Sequence, residues 1–173
     1  TGTDPYWMYF FENEVPGWET DASDNRIQIM QNSNEFKIGP QTDRMSTVAA
    51  EGTQYAELNA NEPAMLYQDV NTTPGQTIYW RLAHRGELGY DTMQLRIGSV
   101  NTPVDTLPVI QKMSSTYDKW YYYTGTYTVP AGQTKTRFGF EAVESSTGSP
   151  MAGNLLDDIF LGTEPCVTAN KSV

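Results

Sequence analysis

Short runs in which polar and apolar residues alternate, separated by turn signals, restrict the fold of this 173-residue chain more than any other feature. Alternation is clear in Arg26–Met30, Thr77–His84 and Thr92–Ile97, and the turn sequences Thr72–Gly75 and Pro130–Gln133 follow similar runs. Successive side chains of a strand point to opposite faces, so the pattern indicates strands that bury one face. No stretch has helical periodicity. The sequence therefore predicts an all-β fold, an antiparallel jelly-roll β-sandwich of about eight or nine strands.

The domain boundaries follow from the same pattern. Residues 1–162 are predicted to form the jelly-roll module, and 163–173 a linker or the start of a following surface repeat domain. The segment Asn101–Lys119 predicts a long loop with a short helical turn. The single cysteine, Cys166, excludes an internal disulfide. Because the chain begins at Thr1 rather than Met, we expect a mature or excised fragment.

The charge of the chain limits its partners. The formal net charge is −10, and the isoelectric point is near 4.4. Such a surface repels phosphate backbones and anionic lipid, so neither nucleic acid nor membrane insertion is expected, and no apolar run reaches membrane-spanning length. An acidic field suits divalent cations and neutral ligands, although simple solubility also explains it.

Polar side chains occupy the predicted open faces of several strands. Glu57 and Asn59 share one such face, Arg81 another, and Glu141 a third. If these strands are neighbours in one sheet, their side chains form a polar platform flanked by aromatic rings. Carbohydrate sites combine hydrogen-bonding side chains with aromatic rings in this way. A solvated face with ion pairs such as Glu57–Arg81 fits the pattern equally well.

The predicted hairpin loop from His84 to Asp91 carries the densest run of functional side-chain types. It contains the only histidine, His84, together with Arg85, Asp91 and two glycines. Loops on a rigid sandwich often carry recognition, so these three residues are candidates for ligand binding. The alternative is a charged hairpin whose histidine is satisfied by a backbone partner.

Carboxylates lie on short apolar runs at both ends of the chain, Glu12 near the start and Asp157 with Asp158 near the end. Alternation gives one of the two aspartates an inward face, where a charge needs compensation. If the first and last strands lie side by side, these acids converge on a Ca²⁺ site. The alternatives are an exposed Glu12 and aspartates that cap a hairpin.

Catalytic motifs are missing from the sequence. It has no metalloprotease helix, nucleophile elbow, phosphate-binding glycine loop or Cys/His dyad. Glu57 and Glu141 could supply the two carboxylates of a glycosidase, but their spacing does not support it. We therefore expect a protein that is not an enzyme.

Several segments together resemble the galactose-binding-like jelly roll of bacterial carbohydrate-binding modules and cell-surface adhesins. The segments that carry the resemblance are Phe11–Glu12, Val15–Thr20, Ala22–Asn25, Ile27–Ile29, Glu51–Asn61, Leu66–Asp69, His84–Gly86, Asp91–Met93, Tyr123–Gly125 and Leu156–Ile159. The resemblance implies a structural Ca²⁺ between the terminal strands, with Glu12 and Asp157 as side-chain ligands. It places glycan sites on the concave face or on the edge loops. The opening Met8–Glu12 departs from the usual Asn-Gly-x-Phe-Glu.

These observations predict an extracellular carbohydrate-binding, adhesin-type module with a structural calcium ion. Its partner would be a glycan or glycoconjugate, and the module would be a monomeric part of a larger protein attached to the bacterial cell wall. The tail from Val167 looks like the entry to a stalk repeat. A protein-binding or spacer domain of a surface adhesin is the alternative, and a glycoside hydrolase is a third hypothesis.

Overall fold

A computed structural model describes residues 7–32 and 47–164 of the chain. The described residues form eleven strands and two 3-10 helices, Glu12–Glu14 and Val104–Thr106. The strands are β1 (Trp7–Phe11), β2 (Glu19–Thr20), β3 (Arg26–Gln31), β4 (Gln54–Glu57), β5 (Met65–Asn71), β6 (Thr77–Arg85), β7 (Asp91–Ser99), β8 (Val109–Ser115), β9 (Tyr121–Thr128), β10 (Lys135–Glu144) and β11 (Leu155–Gly162).

The strands form two antiparallel sheets. The six-stranded sheet has the order β1-β3-β4-β11-β6-β9, and the five-stranded sheet has the order β2-β5-β10-β7-β8. Consecutive strands such as β6 and β7 belong to different sheets, so the chain crosses repeatedly between them. The predicted all-β, antiparallel jelly-roll sandwich is confirmed.

The core lies between the two sheets and follows from alternation along each strand. In β6, Ile78, Trp80 and Leu82 point inward, and Phe138 and Phe140 of β10 meet them from the five-stranded sheet. Leu82 and Phe138 are completely buried. Each of these large side chains stabilises the fold by roughly 2–3 kcal/mol relative to an exposed position.

A second, smaller apolar cluster covers part of the other side of the six-stranded sheet, which we call the outer face. It consists of Met30, Tyr55 and Leu155, against which Trp7, Ala49 and Trp120 pack. Ala49 belongs to the segment 47–53, which precedes β4 and lies over the outer face. The outer face is therefore covered at one end, and the uncovered part forms the candidate site.

The sequence predicted most strands but not all of them. The segment Asn101–Lys119 contains the expected helical turn, yet it also contains the strand β8, and the short strand β2 was not predicted. The prediction that the first and last strands lie side by side is wrong, because β3 and β4 separate β1 from β11. In the predicted linker 163–173, residues 165–173, including Cys166, lie outside the described residues.

No helix in the described part of the chain has the length and hydropathy needed to cross a membrane.

Candidate functional site

A groove of about 730 Å³ opens on the outer face, over β6, β9 and β11. Its lining combines aromatic, charged and hydroxyl side chains with one wall from the segment before β4. The lining residues are Ala50, Glu51, Tyr79, Trp80, Arg81, Tyr122, Thr124, Gly125, Thr126, Asp158 and Phe160. The volume lies within the usual range of about 300–1,000 Å³ for ligand sites in proteins.

Strand register explains which side chains reach the groove. Arg81 of β6 pairs with Thr124 of β9, and Tyr79 pairs with Thr126, so these four side chains share the outer face. Phe160 of β11 pairs with Arg81 from the other side. Tyr122 stands at the rim and is 55% exposed, which leaves its ring available to a ligand.

An irregularity in β11 shapes the floor of the groove. The pairing of β11 with β6 shifts between Asp157 and Phe160. Asp158 within the shift has a φ of 45°, in the left-handed region that few residues other than glycine adopt. Extra residues of this kind bend a strand and redirect side chains. Strict alternation would turn Asp158 and Phe160 inward with the core residue Leu156. After the shift, Ile159 packs against the core and both Asp158 and Phe160 line the groove.

An ion pair lies in the floor of the groove. Arg81 Nη2 donates to Asp158 Oδ1 at 2.5 Å, and the side chains are 20% and 11% exposed. Because both groups are partly withdrawn from water, the pair is stronger than an ordinary surface ion pair. Together the two residues offer charged donors and acceptors to a ligand with hydroxyl groups.

Of the ligand-binding residues predicted from the sequence, Arg81 lies in the groove. The expectation that Glu57 and Asn59 lie on an open face is wrong, since they are 5% and 1% exposed. Glu141 lies in the five-stranded sheet, where Arg96 and Gln94 contact its carboxylate. The predicted platform does not form, because alternation gives the face of a strand but not the sheet to which the strand belongs.

The loop residues His84, Arg85 and Asp91 are also buried, at 0%, 9% and 0% exposure. The side chain of Asn154 donates to Asn59 Oδ1 and to the Glu144 carbonyl, so its Oδ1 accepts a hydrogen bond from His84 Nε2 at 3.0 Å. His84 Nδ1 accepts from Ser115 Oγ at 2.9 Å.

Desolvation lowers the pKa of His84 to about 4, so the ring is neutral at pH 7. Its burial and two side-chain partners indicate a structural position. A ligand-binding role for His84 stays a prediction.

The carboxylate of Asp91 ties together the loops at this end of the sandwich. Oδ2 accepts from Glu87 N at 2.8 Å and Asn154 N at 3.3 Å, and Oδ1 accepts from Ser146 N at 2.7 Å. Three backbone donors therefore meet the buried charge, which stabilises it without a basic side chain. The loops between β6 and β7 and between β10 and β11 are held together by this one residue.

Two glutamates lie near Asp91, Glu57 buried and Glu87 half-buried. Glu57 accepts from Gln28 Nε2 at 2.8 Å and from Gly153 N at 3.3 Å. Burial and the neighbouring Glu87 carboxylate raise the pKa of Glu57 well above its usual value. Burial and the Asp91 charge raise the pKa of Glu87 to about 7. The pair therefore retains a proton under mildly acidic conditions.

The predicted calcium ligands do not come together. The register of β11, β4, β3 and β1 places Asp157 opposite Trp7, three strand spacings away. Glu12 lies five residues beyond Trp7 along the chain. With about 4.8 Å per strand and 3.3 Å per residue, the Cα atoms of the two residues are roughly 20 Å apart, too far for their side chains to share one ion. Glu12 Oε2 instead accepts from Thr20 N at 3.2 Å. The geometry does not fit a calcium ion held jointly by Glu12 and Asp157.

The two aspartates have other partners. Asp157 Oδ2 accepts from Ala50 N at 2.6 Å and from Glu51 N at 3.0 Å, and its Oδ1 accepts from Asp158 N at 2.7 Å. Asp158 pairs with Arg81. Within residues 7–32 and 47–164, no group of three or more His, Cys, Asp or Glu side chains is placed to hold a metal ion.

Sequence reasoning missed most of the residues that line the groove. Tyr122, Thr124 and Thr126 alternate along a run that was predicted as a strand, so their common face could have been recognised. Phe160 and Glu51 could not, because the first depends on the shift in β11 and the second on the fold of segment 47–53.

No protein-family model and no curated protein matches the sequence. Solved structures with a similar fold include carbohydrate-binding modules. The C-terminal family 22 carbohydrate-binding module of Clostridium thermocellum Xyn10B, described for the role of conserved cleft residues in ligand binding, has a TM-score of 0.58 and 13% identity over 94% of this chain and 97% of that chain. TmCBM61 in complex with β-1,4-galactotriose has a TM-score of 0.52 and 12% identity, covering 86% and 90%.

A third similar structure contains a catalytic module as well. The CBM22-1–GH10 modules of C. thermocellum Xyn10B in complex with xylohexaose match with a TM-score of 0.56 and 14% identity over 90% of this chain. The present chain spans only 28% of that longer chain. At these identities the similarity confirms the jelly-roll fold of carbohydrate-binding modules, as the sequence resemblance implied.

Proposed function

We propose that the chain is a non-catalytic carbohydrate-binding module that holds an extended, neutral oligosaccharide in the groove on the outer face. The observation that carries the proposal is the combination of aromatic rings, one of them exposed, and a charged hydrogen-bonding pair in one groove. The ligands named for structures of the same fold, xylohexaose and β-1,4-galactotriose, support this class of ligand.

The chemistry of the groove suits a sugar. Tyr79, Tyr122 and Phe160 provide rings that pack against the apolar faces of pyranose units. Arg81 donates and Asp158 accepts, so the pair can bind adjacent hydroxyl groups, each of which is both donor and acceptor. The formal net charge of −10 disfavours anionic polysaccharides.

The pair of carboxylates considered for a glycosidase receives no support from its placement. Glu57 and Glu141, the pair considered for a glycosidase, belong to β4 and β10 in different sheets. Two carboxylates must face each other across the scissile bond for either glycosidase mechanism. The proposal is therefore binding without turnover.

Calorimetric titration with linear β-1,4-linked xylo-, gluco- and galacto-oligosaccharides tests the proposal. Tyr122→Ala removes an exposed ring at the groove, and we expect affinity to fall at least tenfold, which corresponds to about 1.4 kcal/mol. Tyr117→Ala is the matched control, because Tyr117 is similarly exposed at 49% but does not line the groove.

Equal losses in the two variants would contradict the groove as the binding site. A parent chain that binds none of a broad glycan panel would contradict the function itself. Product formation from aryl glycosides by the parent would restore the enzyme hypothesis.

Exposed apolar residues at one end of the sandwich favour a second candidate, a protein-binding surface. Leu88, Tyr90, Tyr117, Val143 and Met151 are all exposed and lie on or beside the loops that join β6 to β7, β8 to β9 and β10 to β11. Surfaces of this kind often mark protein contacts. Binding to a purified protein that is lost in Tyr90→Ala but retained in Tyr122→Ala would favour this candidate.

Three finer predictions from the sequence stay predictions. These are a structural calcium ion, attachment to a bacterial cell surface as part of a longer adhesin, and a monomeric state. The calcium prediction requires that a chelator lower the melting temperature of the parent, because an ion bound only by the folded chain stabilises it. An unchanged melting temperature would refute it, and sedimentation velocity tests the monomer.

A further inference from the structure

Hydrogen bonds from side chains help to hold the wall of the groove formed by Ala50 and Glu51. These residues belong to segment 47–53, which contains no strand before β4. Three side chains bind its backbone: Asn32 Oδ1 accepts from Ala49 N at 2.6 Å, Trp120 Nε1 donates to the Val48 carbonyl at 2.7 Å, and Asp157 binds both wall residues. The position of the wall therefore depends on side chains from three other parts of the chain.

Asp157 is the anchor directly behind the wall. One oxygen, Oδ2, accepts from the N–H groups of both Ala50 and Glu51, at 2.6 Å and 3.0 Å. Asp157 itself does not line the groove, whereas both of its partners do. Hydrogen bonds from N–H groups to a carboxylate are about twice as strong as those between neutral groups. Removing the charge would thus weaken two contacts of the wall at once.

Asp157 also contacts the part of β11 that forms the floor of the groove. Asp157 Oδ1 accepts from Asp158 N at 2.7 Å, next to the left-handed residue that carries the Arg81 ion pair. Asp157 therefore joins the wall to the strand segment that supports the floor. A ligand between wall and floor would contact neither Asp157 oxygen, yet it would depend on the distance that Asp157 sets.

We propose, on the basis of the function proposed above, that Asp157 is a positioning residue that sets the width of the groove by fixing the backbone of Ala50 and Glu51 to β11. The residue acts through the wall and does not touch the oligosaccharide. Pre-organising the wall lowers the entropy that ligand binding would otherwise lose in ordering it.

The test compares Asp157→Asn with Asp69→Asn. The first variant keeps the size of the side chain and removes the charge behind the wall. The second makes the same chemical change at an ion pair of comparable burial, Asp69–Arg137, on the five-stranded sheet. Two quantities are measured in each chain: hydrogen exchange at the amides of Ala50 and Glu51, and calorimetric affinity for the oligosaccharide that the parent binds best.

We expect Asp157→Asn to speed exchange at the two wall amides at least tenfold and to weaken binding about tenfold, with a less favourable binding entropy. In Asp69→Asn, we expect both quantities to stay within twofold of the parent, whatever the loss of global stability. If Asp157→Asn does not fold, Trp120→Phe removes the hydrogen bond to Val48 while keeping an aromatic ring, and it should change both quantities in the same direction.

The outcomes separate the two proposals. If the parent binds no oligosaccharide, the proposed function fails and the positioning role fails with it. If the parent binds and Asp157→Asn binds equally well, the positioning role alone is overturned. Weaker binding without faster exchange at Ala50 and Glu51 would also overturn it, because the effect would then not pass through the wall.

Discussion

The neighbouring carboxyl groups of buried Glu57 and half-buried Glu87 make the stability of the fold depend on pH in an unusual direction. Desolvation is the largest cause that raises the pKa of both carboxyl groups. The charges of Glu87 and Asp91 raise the pKa of Glu57 further, and the charge of Asp91 raises that of Glu87. The Gly153 N–H lowers both, and a hydrogen bond with Glu57 also lowers the pKa of Glu87. Replacing Glu87 by Gln gives a neutral side chain of the same size whose Oε1 can still accept a hydrogen bond from the protonated Glu57.

The magnitude follows from the pKa of Glu87, which is raised from 4.5 to about 7. At about 1.4 kcal/mol for each tenfold change in proton affinity, the difference is worth about 3 kcal/mol. The folded chain binds this proton more tightly than the unfolded chain, so the contribution is complete below pH 4.5 and is lost as pH rises to 7. The Glu87→Gln variant does not lose it, because it has no proton to release.

Urea unfolding of both chains between pH 4.5 and pH 8 measures the effect. We expect the free energy of unfolding of Glu87→Gln, minus that of the parent, to rise by about 3 kcal/mol over this range. Glu144→Gln is the control, because Glu144 is exposed at the end of β10, and its difference from the parent should stay flat. A flat difference for Glu87→Gln, or one that falls with pH, would refute the assignment of a shared proton to this pair.

Two further predictions concern the core. Desolvation is the main cause that lowers the pKa of His84 to about 4. Because only the unfolded chain binds this proton between pH 6.5 and pH 4, the free energy of unfolding should fall by about 3 kcal/mol over that range. An equally steep fall in His84→Gln would contradict this. Gly125→Ala would place a Cβ 2.3 Å from Trp80 Cζ2, so we expect a loss of about 2 kcal/mol by urea unfolding. Gly139→Ala meets only the flexible Met65 side chain and should cost less; equal losses would contradict the role of the rigid indole.

Alternation was sufficient to predict most of the strands and their inward faces. The run Thr77–His84 became β6, Thr77–Arg85, and its inward residues Ile78, Trp80 and Leu82 are core residues. The strand β8 was missed because it lies at a sheet edge and buries only Met113 and Ser115. An edge strand with few buried positions leaves little periodicity in the sequence.

The candidate site could be predicted only in part, because it depends on strand order. Arg81 was correctly placed on the outer face, but Glu57 and Glu141 lie in different sheets. No local pattern shows which strands become neighbours when the chain crosses repeatedly between two sheets. The shift in β11 and the fold of segment 47–53 also arise from tertiary contacts, and these two features bring Phe160 and Glu51 to the groove.

The carboxylates show most clearly what the sequence could and could not decide. It predicted that an acid in β11 would need compensation, which is correct, but it assigned that role to calcium. In the structure, the buried acids use three other means. Asp157 and Asp91 accept backbone N–H groups, and Asp158 pairs with Arg81. For Glu57 and Glu87, burial raises the pKa, which favours the neutral form. Each removes the cost of a bare buried charge, and only the three-dimensional neighbours of each acid determine which one applies.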